Sequence, residues 1–436
     1  MESMTISQTW TSTPLVSSSN WSERLYHACR KELQEAELKD RLLDRVKLAQ
    51  AQAWILVAVY ELCRGYFLRA WMSTSRAVRL IQLMGLHRYD RLLLNRNPTS
   101  RIIHTAKNVI NAEERRRVFW QTFLMDRYSS VTTGSPPLIQ EKDIFTYLPA
   151  SNDAFAGGFE EQYTFLSNAT KTNNSQRVSQ FAATVVVSSL CVSKLVDLER
   201  YDLETAVDES LHSVATESSK LQNALAVVFR VPEHLNLGTS PLDPSLAFLH
   251  TSTATSTIIL HRAAQSRDRH GFISANVLLH SKKECLKAAD HIARIMELTS
   301  QWDSRSYHFL AFYSLYSAVA VFAASWLTDR QPSHEKSLRF LLGLLESFKE
   351  KVRLAQILLQ DIDAEFPELQ NLLGAQDWSS IAVQSTVLQP ASSEPAFDLA
   401  RYDAHNDSAH ISEISFYGDA SFWSTDESLL YGGFLS

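Results

Sequence analysis

Apolar residues in this chain return at spacings of three and four, the repeat that lines one face of an α-helix. Leu25, Cys29, Leu33 and Ala36 start the pattern, and Leu38, Leu42, Val46, Ala49, Ala53 and Val57 carry it on. Turn-forming residues are scarce. Only 12 Gly and 12 Pro among 436 residues leave little room for the tight turns of an all-β fold. The spacing and the scarcity together predict an all-α, multi-helix fold.

The same reading divides the chain. Residues 1–20 are Ser/Thr-rich and are expected to be disordered. A second helix is predicted from Tyr66 to Met84, stopped by Gly85. HRYDRLLLNRNPTSRIIH, with Pro98, reads as a long connection. The next helix runs from about Ala112 to Thr133, with Gly134 as its cap and Pro136-Pro137 barring continuation. A Gly/Asn-rich loop follows Pro149 to about Glu160. Helical patterns return at FAATVVVSSLCVSKLVDLERY, 206–230, 244–265, 275–299, 306–328 and 334–358. The β-branched run Thr184–Val187 favours a strand by propensity alone, but its helical neighbours outweigh it. No repeat of solenoid period is visible.

Bulk numbers narrow the class. The chain is 45% hydrophobic and 21% charged, an ordinary globular balance. Its net charge of -6 does not point to a generic polyanion binder. Cys29, Cys63, Cys191 and Cys285 lie far apart, with neither zinc spacing nor a disulfide framework, and fit a reducing compartment. The first residues contain no apolar signal region. From Ser306 to Thr328 no residue is charged, yet the serines and His308 dilute the stretch, so a buried core helix is expected and no membrane span.

One stretch resists a purely structural reading. In EERRRVFWQTFLMDRYSSVTTGSPPLIQEKDI, Arg115, Arg116 and Arg117 abut Val118, Phe119 and Trp120. Such a run suits an anion site, a nucleic-acid contact or the anchor of a buried helix. Glu113 and Arg117 stand at i, i+4 and are expected to pair. Phe119, Phe123, Trp120 and Leu124 form two adjoining apolar rows, which predicts a central helix. Charges so close to a buried surface need partners, for which Asp126 and Arg127 are candidates. From Arg64 to Arg117, eleven Arg and one Lys face Asp90, Glu113 and Glu114, a balance of +9. No DNA-reading motif accompanies them, so a solvated face is the default.

Catalytic signatures are not visible. There is no G-x-S-x-G, phosphate-binding glycine loop or H-E-x-x-H, and no catalytic or metal residue is expected. Asp361 and Asp363 in QDIDAEF stand at i+2 and do not share a helix face with one another. They and Glu365 read as the solvated end of a helix. His87, at a helix exit, reads as a capping or surface cation. His291 lies at i+6 from Cys285 and suggests no metal pair.

The order of motifs is more telling than any one. AWMSTSRAVRLIQLMGLHRYD is followed, after about twenty variable residues, by AEERRRVFWQTFLMDRYSSVTTGSPPLIQEKDIFTYLP. This resembles the middle homology region of fungal zinc-cluster transcription factors, the fungal-specific or xylanolytic-activator-type regulatory domain. The matching positions are Gly85, His87, Arg88, Glu113, Glu114, Arg115, Arg117, Trp120, Asp126, Arg127, Gly134, Pro136, Pro137 and Asp143. The resemblance covers about a hundred residues. It implies an all-α regulatory domain over residues 21–375 and a nuclear, non-enzymatic regulator of RNA polymerase II genes. The implied targets are one metabolic pathway, often a secondary-metabolite cluster. Family members read DNA through a six-cysteine zinc cluster, which this sequence does not contain. DNA-binding residues are therefore unassigned, and no cofactor is expected in this chain. Two forms fit: an N-terminally incomplete regulator, or a clusterless relative that acts through a homo- or heterodimer partner. A helical small-molecule-binding protein or enzyme is the remaining alternative.

Beyond residue 376 the composition changes. Ala391 to Ser436 holds eight acidic residues and one basic, with Phe416, Tyr417, Phe422, Trp423, Tyr431 and Phe434 among its aromatics. That mixture resembles an acidic-aromatic disordered activation segment, whose partner is the transcription machinery. A solvated tail without a partner is the alternative.

Overall fold

The computed structural model describes residues 18–39, 47–94, 108–170, 177–207, 214–227, 229–238, 241–266 and 273–369. Within them the chain is all-α, and no strand forms. The helices are α1 (Ser18–Lys39), α2 (Leu48–Cys63), α3 (Phe67–Leu83), α4 (Tyr89–Leu94), α5 (Val109–Thr133), α6 (Asn152–Gly157) and α7 (Leu166–Ala169). They continue with α8 (Gln180–Val207), α9 (Val214–Leu225), α10 (Pro244–Ser266), α11 (Ala275–Thr299), α12 (Ala311–Asp329), α13 (Pro332–Phe348) and α14 (Arg353–Glu365). The acidic-aromatic tail lies outside the described residues.

Gly85 and Gly134 follow α3 and α5 as expected, with φ of 70° and 65°. A side chain at either would strain the left-handed backbone that turns the chain out of the helix. Three elements differ from the sequence expectation. The connection after Gly85 is partly helical: a 3-10 turn at Leu86–Arg88 leads into α4, and Leu86, Tyr89 and Asp90 are buried. The loop after Pro149 contains α6, capped by the Ser151 hydroxyl. The helical pattern read at 206–230 is met, within the described residues, by the end of α8 and by α9. The stretch 334–358 is two helices. The amides of Lys351 and Val352 both donate to the Phe348 carbonyl, and Val352 is extended. Phe348 before the break and Leu354 after it enter the same core, so the apolar period runs on and hides the turn.

Three apolar clusters fill the interior. The first joins α1, α2, α3, α5 and the start of α8 around Trp54, Trp120, Phe119 and Phe123. The second joins α8, α9 and α10. The third joins α10 to α14 around Ile258, Val319, Phe322, Leu341 and Leu358. In α1 the predicted stripe is only half used: Leu33 is buried, whereas Leu25 is 58% exposed.

Helix α10, which like α8 enters two clusters, is buried on nearly every side despite its run of Ser and Thr. Its hydroxyls bond within the helix, Thr251 to the Ala247 carbonyl at 3.0 Å, Thr253 to Leu249 at 2.7 Å and Thr255 to Thr251 at 2.8 Å. These three buried hydroxyls thus find acceptors without leaving the helix, which offsets the desolvation cost. Thr184–Val187 is helical, inside α8. By length and composition Gln180–Leu198 and Ala311–Asp329 are apolar enough to cross a membrane. The second is 78% buried inside the fold, as a core helix is.

Candidate functional site

Helix α5 places its arginines against the connection that leaves α3 and the segment that follows Gly134. Arg116 is 6% exposed and reaches back to Asp90, with Nε 3.1 Å from both carboxylate oxygens and a terminal nitrogen 2.6 Å from Oδ1. It also meets Glu113 at 3.5 Å, and its guanidinium lies 4.4 Å from the centre of the Tyr163 ring. The partner of the buried charge is therefore Asp90, not Asp126 or Arg127. Burial works against the Arg116 charge, but the Asp90 carboxylate outweighs it and raises the guanidinium pKa.

Each carboxylate here also holds backbone. The Tyr147 amide donates to Asp90 at 2.8 Å, and the Ala150 amide donates to Glu113 at 2.9 Å. Arg117 pairs with Glu113 at 3.2 Å, as its spacing predicted, and donates to the carbonyls of Ala150 and Ser151 and to Asn152. Trp120 donates its indole N–H to the Tyr147 carbonyl at 2.6 Å. Farther along α5, the backbone amides of Leu138 and Ile139 both donate to Asp126 at 3.0 Å. Arg127 pairs with Asp126 at 3.0 Å and donates to the Ile139 carbonyl at 2.8 Å. Burial pushes the carboxyls of Glu113 and Asp126 up and the Arg127 guanidinium down. Their ion pairs and the backbone N–H groups oppose that shift.

The α3 exit is tied to the same segment. The Phe145 amide donates to the His87 carbonyl at 2.7 Å, and the Thr146 hydroxyl donates to the Leu86 carbonyl at 2.5 Å. Arg88 and Asp143 pair at 3.3 Å in solvent. Burial, then the Arg88 charge, lowers the His87 pKa and so disfavours a cation at this helix end. Glu114 accepts from Gln52 of α2, and Arg115 donates to the Asn111 carbonyl. Pro136 and Pro137 lie between Ser135, whose carbonyl accepts from the Ser130 hydroxyl, and Leu138.

Of the matching positions, Glu113, Arg117, Trp120, Asp126 and Arg127 join Arg116 and Asp90 in one clasp that pins residues 138–152 across α5 and the α3 exit, whereas Glu114 and Arg115 turn to α2 and to their own helix. Sequence reading missed Arg116, Asp90 and Thr146 as members. Asp90 carried a signal: it is the single acid between Arg64 and Glu113. The clasp spends its carboxylate oxygens on amides and guanidinium groups, so its chemistry is that of a scaffold.

Of the remaining band, Arg76 pairs with Glu37, Arg69 covers the Tyr66 ring and Arg91 covers the Phe145 ring. Among the described residues no group of three His, Cys, Asp or Glu is placed to hold a metal ion. All four cysteines are free. Glu365 is not the solvated helix end expected from QDIDAEF. It accepts from the Tyr316 hydroxyl at 3.0 Å, and burial pushes its carboxyl up to about 7. His250 and His291 lie 3.1 Å apart between α10 and α11, a pairing the sequence did not suggest. A cavity of about 40 Å³ lies among Arg127, Tyr128, Ser188, Cys191, Ser252 and Tyr313. That is room for about three water molecules.

Residues 11–230 match the fungal specific transcription factor domain, over half of the chain. This chain belongs to that family. The clasp falls inside the matched region. Among curated relatives, the pigment biosynthesis transcriptional activator pigB of Monascus ruber is 28% identical over 66% of this chain and 51% of its own length. The citrinin biosynthesis transcriptional activator ctnR of Monascus purpureus is 27% identical over 78% of this chain and 58% of its own. An ascochitine biosynthesis cluster transcriptional regulator of Didymella fabae is 28% identical over 64% and 48%. The chain spans about half the length of these relatives. No solved structure matches it.

Proposed function

We propose that this chain is the regulatory part of a nuclear transcription regulator that controls RNA polymerase II genes of one secondary-metabolite cluster. The family match supports this reading, together with relatives named for pigment, citrinin and ascochitine biosynthesis. The chain acts by binding and not by catalysis. The clasp gives the helical domain a fixed frame, and its internally paired arginines are not a DNA-reading surface. DNA contact falls to a zinc cluster outside this sequence or to a dimer partner. The acidic-aromatic segment Ala391–Ser436 recruits the transcription machinery through aromatics that its charge keeps in water.

Tethering the full chain to a heterologous DNA-binding module tests the reading. A reporter downstream of the matching sites is expected to rise at least fivefold. Deleting residues 391–436 is expected to return it to background. Undiminished output from the deletion removes the tail from the mechanism, and a silent full-length fusion contradicts activation by this chain.

A further inference from the structure

Two histidines meet between α10 and α11, away from the clasp and beyond the family-matched residues 11–230. His250 Nδ1 lies 3.1 Å from His291 Nε2. The ring centres are 5.2 Å apart and the planes are tilted by 49°, so the rings meet edge to edge and do not stack. His250 is 4% exposed, whereas His291 is half-buried at the solvent edge. The other nitrogen of His250, Nε2, lies 3.0 Å from the Leu235 carbonyl. A carbonyl only accepts, so Nε2 carries the proton, and the Nδ1 lone pair of a neutral His250 is turned toward His291. A backbone carbonyl fixes the tautomer of a metal-bound imidazole in the same way.

Burial is the first cause of a lowered pKa at both rings, which favours the neutral imidazoles a cation needs. Among the described residues neither ring bonds a carboxylate, so the pair is not held by an acid. The spacing also fits one ion. Two nitrogens each 2.0–2.1 Å from a metal stand about 3.1 Å apart when the angle between them is roughly 100°, near the tetrahedral value that zinc adopts. A linear ion would hold them about 4 Å apart. Imidazole ligands without a thiolate favour zinc over monovalent copper.

We propose that His250 and His291 bind a zinc ion between α10 and α11, with water filling its remaining positions on the solvent side of His291. The ion takes the place of the shared hydrogen. His291 carries its proton on Nδ1, both facing lone pairs go to the metal, and no proton leaves the pair. Arg294, exposed one turn along α11, already lowers the His291 pKa, and its charge opposes the ion in the same way. The bound ion ties α11 to α10, which enters two of the three clusters, and through Leu235 to the turn before α10. Free zinc therefore stabilises the fold.

Isothermal titration of the purified full chain with Zn²⁺ alone, in a non-coordinating buffer at neutral pH, tests the site. One tight ion per chain is expected. His291→Ala is expected to weaken it at least tenfold, and Arg294→Gln to strengthen it. His27→Ala, at an exposed position on α1, is expected to leave it unchanged. Cu²⁺ serves as the spectroscopic probe. Electron paramagnetic resonance of the unaltered chain with one equivalent of Cu²⁺ is expected to show coupling to two nitrogens, a result that needs no variant to fold. No heat of zinc binding, binding that survives His291→Ala intact, or copper coupled to fewer than two nitrogens would each overturn the proposal and leave the pair as a hydrogen bond between neutral rings.

Discussion

Arg116 and Asp90 meet through a two-pronged contact across 26 positions of sequence, with both side chains almost wholly removed from solvent. The pair joins α5 to the exit of α3, and Asp90 in turn fixes the backbone of Tyr147. Three segments distant in sequence thus depend on one ion pair.

Removing one partner is far more damaging than removing both. Asp90→Ala leaves the Arg116 guanidinium buried and half-paired, and is expected to cost about 3–5 kcal/mol. Adding Arg116→Met should recover a large part of that loss. Urea unfolding of the two variants at neutral pH measures it. Equal losses in the single and double variants would show that the stranded charge is not the cause.

Asp126 works on backbone as well as on charge. Asp126→Ala deprives the Leu138 and Ile139 amides of their acceptor and strips Arg127 of a partner. Hydrogen exchange at those two amides is expected to accelerate at least tenfold, and stability to fall by ~3 kcal/mol. Unchanged exchange would mean that Pro136-Pro137 and the apolar contacts of Ile139 hold the segment without it.

At Gly134 the backbone sits at φ 65° after the last turn of α5. Gly134→Ala is expected to lower stability by about 1 kcal/mol, and Gly134→Asn by less, because Asn tolerates the left-handed region. Thermal melts of the three proteins rank them.

The carboxyl of Glu365 has a folded pKa of about 7, above the ordinary carboxylate value, because burial penalises its charge. The folded state therefore holds the proton more tightly than the unfolded state. Glu365 contributes stability that is present at acid pH and is lost as pH rises through about 7. Its neutral isostere, Glu365→Gln, should flatten that decline, so the gap in melting temperature between variant and wild type widens from pH 5 to pH 8. A gap independent of pH would show that the group stays ionised in the fold.

The helices and their stops were legible because the apolar period, Gly85, Gly134 and Pro136-Pro137 are local signals. Two of the places where they misled have tertiary causes. Lys349–Val352 carries no breaker, and the chain turns there because Leu354 and Leu358 pack back onto the same core as Leu345. Tyr89 and Asp90 look like surface loop until Arg116 arrives from α5 to bury them. The clasp was half visible: Glu113 with Arg117 follows from helical spacing, whereas Arg116 with Asp90 requires knowing how α3 and α5 lie together. The burial of α10 is not legible in its Ser and Thr residues, because their acceptors are backbone carbonyls one turn back, which leave no trace in sequence.

The central claim is that this chain sets the transcription of one biosynthetic gene cluster. Transcript sequencing of a strain lacking it, beside the same strain with the chain restored, tests that most directly. The account predicts that a contiguous block of biosynthetic genes falls at least tenfold without the chain and recovers with it, while transcripts elsewhere hold steady. Unchanged transcripts across every biosynthetic cluster, under conditions in which the chain is expressed, would contradict it.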